Sequence, residues 1–168
     1  MSCYPCLLVL FTLERAEHNM IRGALSHLDL TITDPDRAIP FYDTVLPLLG
    51  YRRVFVEPGT TAVACWSIAD AEHSVFSIAL ERARGVGKQR QYDRSAPGLH
   101  HLAFHLDSRA DVDQLYAQLV AVGITILDPP AEYAYTPGYY ALSCQDPDGL
   151  VLECVYEPQH RGTLGAAR

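Results

Sequence analysis

The segment GLHHLAFHLD, residues 98–107, carries His100, His101 and His105 in an otherwise apolar stretch. Imidazole is the commonest protein ligand for transition metals and a general acid–base near neutral pH. Another histidine, His27, opens HLDLTITDPD, and a lone carboxylate, Glu153, lies between Leu152 and Cys154 in DPDGLVLECVY. A carboxylate among apolar neighbours is costly to bury unpaired, so Glu153 faces either solvent or a cation. His27 and His101 each have the ordinary alternative of a hydrogen-bonded strand histidine. Taken together, His27, His101 and Glu153 make a facial donor set. It suits Zn, Ni, Mn or Fe(II) and leaves positions open for water or substrate.

The elements that must position these residues emerge from an internal repeat. HLDLTITDPDRAIPFYDTVLPLLGY begins at His27 and HLAFHLDSRADVDQLYAQLVAVGIT at His101, an offset of 74. His27 then matches His101, Leu28 matches Leu102, Asp34 matches Ser108 and Tyr42 matches Tyr116, with Gly50 and Gly123 closing the segments one residue out of step. Each copy reads as a strand followed by a helix. Leu28, Leu30 and Ile32 alternate with His27, Asp29 and Thr31, the period of a half-buried strand. Asp34 is placed to cap a helix that starts at Pro35, and Ser108 with Asp111 resembles a capping box. Strand candidates follow each helix, and DPDG at 146–149 signals a hairpin turn. The expected fold is α+β: two β-α-β-β-β half-domains, with mixed, largely antiparallel sheet curling around a central cleft.

In this reading the helices cover the Leu28/Leu30/Ile32 and Leu102/Phe104/Leu106 faces. The opposite faces, with His27, Asp29, Thr31, His101 and His105, line the cleft. His100 turns away from His101 by the strand period. His105 lies four residues, two pleats, beyond His101 on the same face, about 13 Å along the strand. That is too far to share a metal shell with His101, so His105 is the candidate acid–base beside the metal. Asp29 holds a similar place beside His27. Trp66, Phe76, Tyr139 and Tyr140 are candidates for pocket walls, ordinary sheet packing being the alternative for each. Subtracting the offset from Glu153 lands on Ala79, and the nearest acid, Glu81, is a weaker candidate for a fourth ligand. The basic stretch ERARGVGKQRQYDR, residues 81–94, reads as a solvated loop or as a lid for an anionic substrate.

The motifs HLDLTITDPDRAIPFY, HHLAFHL and DPDGLVLE resemble those of the vicinal oxygen chelate superfamily, which includes glyoxalase I, extradiol dioxygenases, fosfomycin-resistance thiol transferases and bleomycin-resistance proteins. The resemblance covers about residues 24–157 and is to single-domain glyoxalase-like members. It implies metal ligation by His27, His101 and Glu153, and a homodimer whose halves pair across subunits. It also implies a small substrate with neighbouring oxygens, handled by lyase, isomerase or dioxygenase chemistry. A metal-free binding protein of the bleomycin-resistance type is the alternative. Where glyoxalase I has a fourth ligand, VFSIAL offers none, and the position of the extradiol tyrosine, ten residues before the final Glu, is Ser143.

Composition agrees with a globular chain of 168 residues, 49% hydrophobic and 20% charged. A net charge of −7 disfavours nucleic acid or an anionic membrane as partner. The five cysteines suit a reducing, cytoplasmic setting better than a disulfide framework. Residues 1–19 read as an extension, 20–157 as one domain with halves at about 24–82 and 98–157, and 158–168 as a flexible tail.

Overall fold

The computed structural model describes residues 25–69, 74–90 and 92–158; the expected N-terminal extension and nearly all of the tail lie outside this range. The first half runs β1 (His27–Ile32), α1 (Pro35–Leu48), β2 (Arg52–Arg53), β3 (Ala62–Ala69) and β4 (Ser74–Arg82). The second runs β5 (Leu102–His105), α2 (Arg109–Ala121), β6 (Ile126–Glu132), β7 (Tyr140–Gln145) and β8 (Val151–Tyr156). Each half is a β-α-β-β-β unit, as the repeat requires.

Local chemistry sets the helix boundaries. The Asp34 carboxylate accepts the Asp36 amide at 3.0 Å, and Pro35 occupies the first turn, where a missing N–H costs nothing. In the second half the Ser108 hydroxyl accepts the Asp111 amide at 3.1 Å. Asp111 returns its carboxylate to that same hydroxyl at 2.6 Å, its shorter side chain standing where a capping box carries Glu or Gln. Just past each helix, Gly50 and Gly123 take φ of 88° and 77°, the left-handed backbone that lets the chain turn back.

Each half forms its own four-stranded sheet, in orders β1-β4-β3-β2 and β5-β8-β7-β6. The β1–β4 and β5–β8 pairs are parallel and the rest antiparallel. β1 and β5 are therefore edge strands, each paired on one side, and among the described residues the two sheets do not pair with one another. The expected mixed sheet is present as two open sheets.

One core joins the halves. Leu30, Ile32, Tyr42, Leu46, Trp66 and Leu80 of the first half share it with Val112, Leu119, Leu142, Leu152 and Cys154 of the second. Tyr51 and Phe104 meet across the join with ring centroids 6.1 Å apart. The helix-covered faces are thus turned toward each other. His27, Asp29, Thr31, His101 and His105 lie on the opposite faces and are exposed.

The turn between β7 and β8 carries the polar links across the join. Asp148 accepts hydrogen bonds from the Thr33 amide, at 2.8 Å, and from the Thr33 hydroxyl. The Arg37 guanidinium donates to the Pro147 carbonyl at 3.1 Å, and the Tyr42 hydroxyl to Asp146 at 2.8 Å. Asp146 is only 6% exposed, and burial pushes its carboxyl above the usual range.

Candidate functional site

The site is best built from β8 outward. Leu152 and Cys154 point into the core, so alternation turns Glu153 to the other face, where its side chain is 17% exposed. One carboxylate oxygen lies 3.2 Å from His101 Nε2. The other accepts the Tyr139 hydroxyl at 2.8 Å. Burial and this bond to Glu153 both raise the Tyr139 phenol, so it stays protonated and donates. On the same face Ser143 pairs across from Glu153 and donates to Asp128 at 2.6 Å.

The two histidines of the repeat are held alike. His101 Nδ1 lies 2.7 Å from His100 Nδ1, and His27 Nδ1 lies 2.8 Å from the Ser26 hydroxyl. In both, the preceding residue engages Nδ1, so Nε2 remains for another partner. For His101 that partner is Glu153. The expectation that the strand period turns His100 away from His101 is not met, because β5 begins only at Leu102 and alternation does not govern residues 100 and 101.

His27, His101 and Glu153 are not gathered in one chain. His101 and Glu153 form a pair, whereas His27 stands on the edge of the other sheet, and no group of three or more His, Cys, Asp or Glu side chains is poised to hold a metal among the described residues. The reason lies in the core: both sheets turn their apolar faces inward, so their polar faces point apart. The donors present still fit a divalent ion in kind, an imidazole Nε2 beside a carboxylate, with one further ligand to be supplied.

The register explains the fourth position. Ala103 pairs with Glu153 and Asp29 pairs with Ala79, so Ala79 is the structural counterpart of Glu153. Glu81 lies opposite Thr31, two residues further along β4, where it accepts the Thr61 hydroxyl.

The expected pocket walls divide by face. Tyr139 adjoins Glu153, and Asp29 is exposed on the polar face of β1, where its charge helps raise the Cys65 thiol after the larger effect of burial. Trp66 is not a wall: it is fully buried against Tyr42, its indole N–H donating to Asp43 at 3.0 Å. Phe76 packs against the same core, across from Ile68. Tyr140 lies toward α2, donating to Asp113 at 2.7 Å beneath the Arg109 guanidinium. His105, at the end of β5, lines a recess of about 610 Å³ with Leu48, Ile68, Asp107, Gln114 and Glu157.

Tyr133 and Tyr135 are neighbours of the site that sequence reasoning missed. Their rings are parallel with centroids 5.7 Å apart, and both stand edge-on to Tyr139. The signal available was the run EYAYTPGYY, dense in tyrosine and ending at Tyr139 and Tyr140.

Residues 24–154 match the Glyoxalase/Bleomycin resistance protein/Dioxygenase superfamily. The chain belongs to that superfamily. The uncharacterized protein YqjT of Bacillus subtilis is 29% identical over 132 residues, 78% of this chain and 97% of its own length. The uncharacterized protein PA2024 of Pseudomonas aeruginosa is 30% identical over 132 residues, 79% of this chain and 87% of its own. Among solved structures, a candidate glyoxalase from Bacillus halodurans superposes with a TM-score of 0.66 at 27% identity, covering 81% of this chain and 97% of its own. For the superfamily, paired β-α-β-β-β units are thus matched in fold as well as in sequence.

Proposed function

We propose that this superfamily member is a divalent-metal enzyme working as a symmetric dimer, in which His27 of one copy completes the site begun by His101 and Glu153 of the other. The supporting observation is the His101–Glu153 pair at 3.2 Å, His101 standing just ahead of edge strand β5 and Glu153 on its neighbour β8, with the repeat-related His27 on the edge strand of the other sheet. A two-fold axis that sets β1 of one copy beside β5 of the other creates this contact twice. It also covers two strand edges that otherwise present unpaired backbone groups. Superfamily members commonly bind divalent metals and often dimerise.

The bound ion, Zn, Ni, Mn or Fe(II), supplies Lewis acidity toward a small substrate with neighbouring oxygens, in a lyase, isomerase or dioxygenase reaction. The chain's own residues do the positioning. His100 and Ser26 hold the imidazole Nδ1 atoms, leaving each Nε2 for ligation. Tyr139 fixes one oxygen of Glu153. His105, at the far end of β5, the strand that follows His101, is assigned the moving proton.

Mixing two inactive variants tests the shared site. His27→Ala and Glu153→Ala each bind little metal as homodimers. Refolded together as a heterodimer, they regain one intact site, so metal analysis of untagged protein returns about one ion per mixed dimer. Failure of the mixture to regain metal, with both variants dimeric by sedimentation, sinks the shared site. His105→Ala is expected to keep the metal while losing turnover about 10²- to 10⁴-fold.

A second reading rests on the tyrosine cluster. Tyr133, Tyr135 and Tyr139 beside Glu153 suit a metal-free binding protein that holds a flat or cationic small molecule. An untagged protein that neither retains metal nor gains thermal stability from Zn, Ni, Mn or Fe(II) favours this reading over the enzyme.

A further inference from the structure

Lys88 and Arg90 belong to the basic stretch 81–94, and the metal reading gives them no role. Their loop folds through a short 3-10 helix, Gly85–Gln89. This brings both side chains to the wall of a polar cavity of about 520 Å³. Arg37, from the first turn of α1, lines the same cavity, as do Thr125 and Gln145 from the second half. Three cations from two separate parts of the chain, α1 and the 81–94 loop, therefore converge in a protein whose net charge is −7.

Carboxylates usually account for such a cluster, and two are present here. Both are engaged elsewhere. Asp148 receives the Thr33 amide at 2.8 Å and the Thr33 hydroxyl. Asp146 receives the amides of Leu150 and Asp148 on one oxygen, at 2.8 and 2.9 Å, and the Tyr42 hydroxyl on the other. Arg37 donates to the neutral Pro147 carbonyl. Among the described residues no ion pair involves Arg37, Lys88 or Arg90. Like charges gathered on one wall repel, and an oxyanion seated among them turns that repulsion into charge-assisted hydrogen bonds. Two guanidinium forks and one ammonium suit the several oxygens of a phosphate better than a single carboxylate.

We infer that this cavity binds the phosphate or pyrophosphate group of a small molecule. Thr33 follows the last residue of β1, whereas His27 begins that strand, so the two sites lie about 20 Å apart along it. The anion site is separate from the histidine face and does not depend on the metal reading.

Calorimetric titration of the untagged full chain with inorganic phosphate, pyrophosphate and acetate tests it, with and without a chelator. Saturable binding is expected in the order pyrophosphate, phosphate, acetate, weakening with salt and indifferent to the chelator. The combined Arg37→Gln, Lys88→Gln and Arg90→Gln variant is expected to lose at least about tenfold in affinity. All three positions are exposed, and circular dichroism checks that the variant folds. Arg52→Gln, on exposed β2, is the control and is expected to bind as the parent does. No saturation by about 10 mM pyrophosphate overturns the inference. Equal binding by the triple variant, or equal loss in the control, also overturns it.

Discussion

Glu153 has both carboxylate oxygens engaged, one by the Tyr139 hydroxyl and one facing His101 Nε2. In the proposed metal site, a ligand held from behind meets the ion in one orientation, and loosening such supports typically weakens binding 10- to 100-fold. Tyr139→Phe is therefore expected to reduce metal affinity within roughly that range while leaving the melting temperature nearly unchanged, since the half-buried ring stays in place. Competitive metal titration against a chromophoric chelator reads the affinity, and an unaltered affinity removes Tyr139 from the site. The identity of Tyr139 as a neighbour was partly legible, because aromatic residues commonly wall ligand sites. The same reasoning failed for Trp66 and Tyr140, because residue type does not specify face. Trp66 pairs with Ile78 in register and shares its inward face, and Tyr140 is one residue out of phase with Tyr139. His100 was misread for a related reason: the alternation rule was applied two residues before the strand begins.

Elements were the most legible level, because their signals are local. The alternation of β1, the caps at Asp34 and Ser108 and the turn glycines each act within a few residues, so the sequence carries them without tertiary context. The repeat then transferred each reading from one half to the other. It anticipated that Ala79, rather than an acid, stands where Glu153 stands in the second half, and the strand registers agree. Loss of either cap removes a bond to an otherwise unpaired helix amide. Asp34→Ala and Ser108→Ala are each expected to destabilise the fold by about 1 kcal/mol, measured by urea denaturation. Because the capped helices pack on one shared core, the two costs are expected to appear in a single unfolding transition rather than in separate ones. A biphasic curve in either variant contradicts a common core.

At the scale of the whole molecule, the way the halves meet was not legible. Both sheets have one apolar and one polar face, and the pattern is equally compatible with polar faces enclosing a cleft or pointing apart. Long-range contacts between particular groups decide it, and Asp146 makes one of them. Its bond from Tyr42 ties α1 to the β7–β8 turn across the join. Burial raises the folded-state carboxyl above its usual value of 3.8, so between 3.8 and that raised value the folded chain binds more protons than the unfolded one. Stability therefore falls as pH rises through the window that opens at 3.8. Asp146→Asn cannot titrate, and its amide N–H₂ confronts donors from Tyr42 or from the Leu150 and Asp148 amides. A cost of about 1–3 kcal/mol is expected for the buried mismatch. The stability gap between parent and variant is expected to be widest at the acid end of the window and to narrow as pH rises. Paired urea titrations across that range measure the gap directly and cancel the carboxylates common to both proteins. A gap that stays constant with pH means that the Asp146 carboxyl titrates alike in the folded and unfolded chain, and the account of a carboxyl raised by burial at this inter-half link then fails.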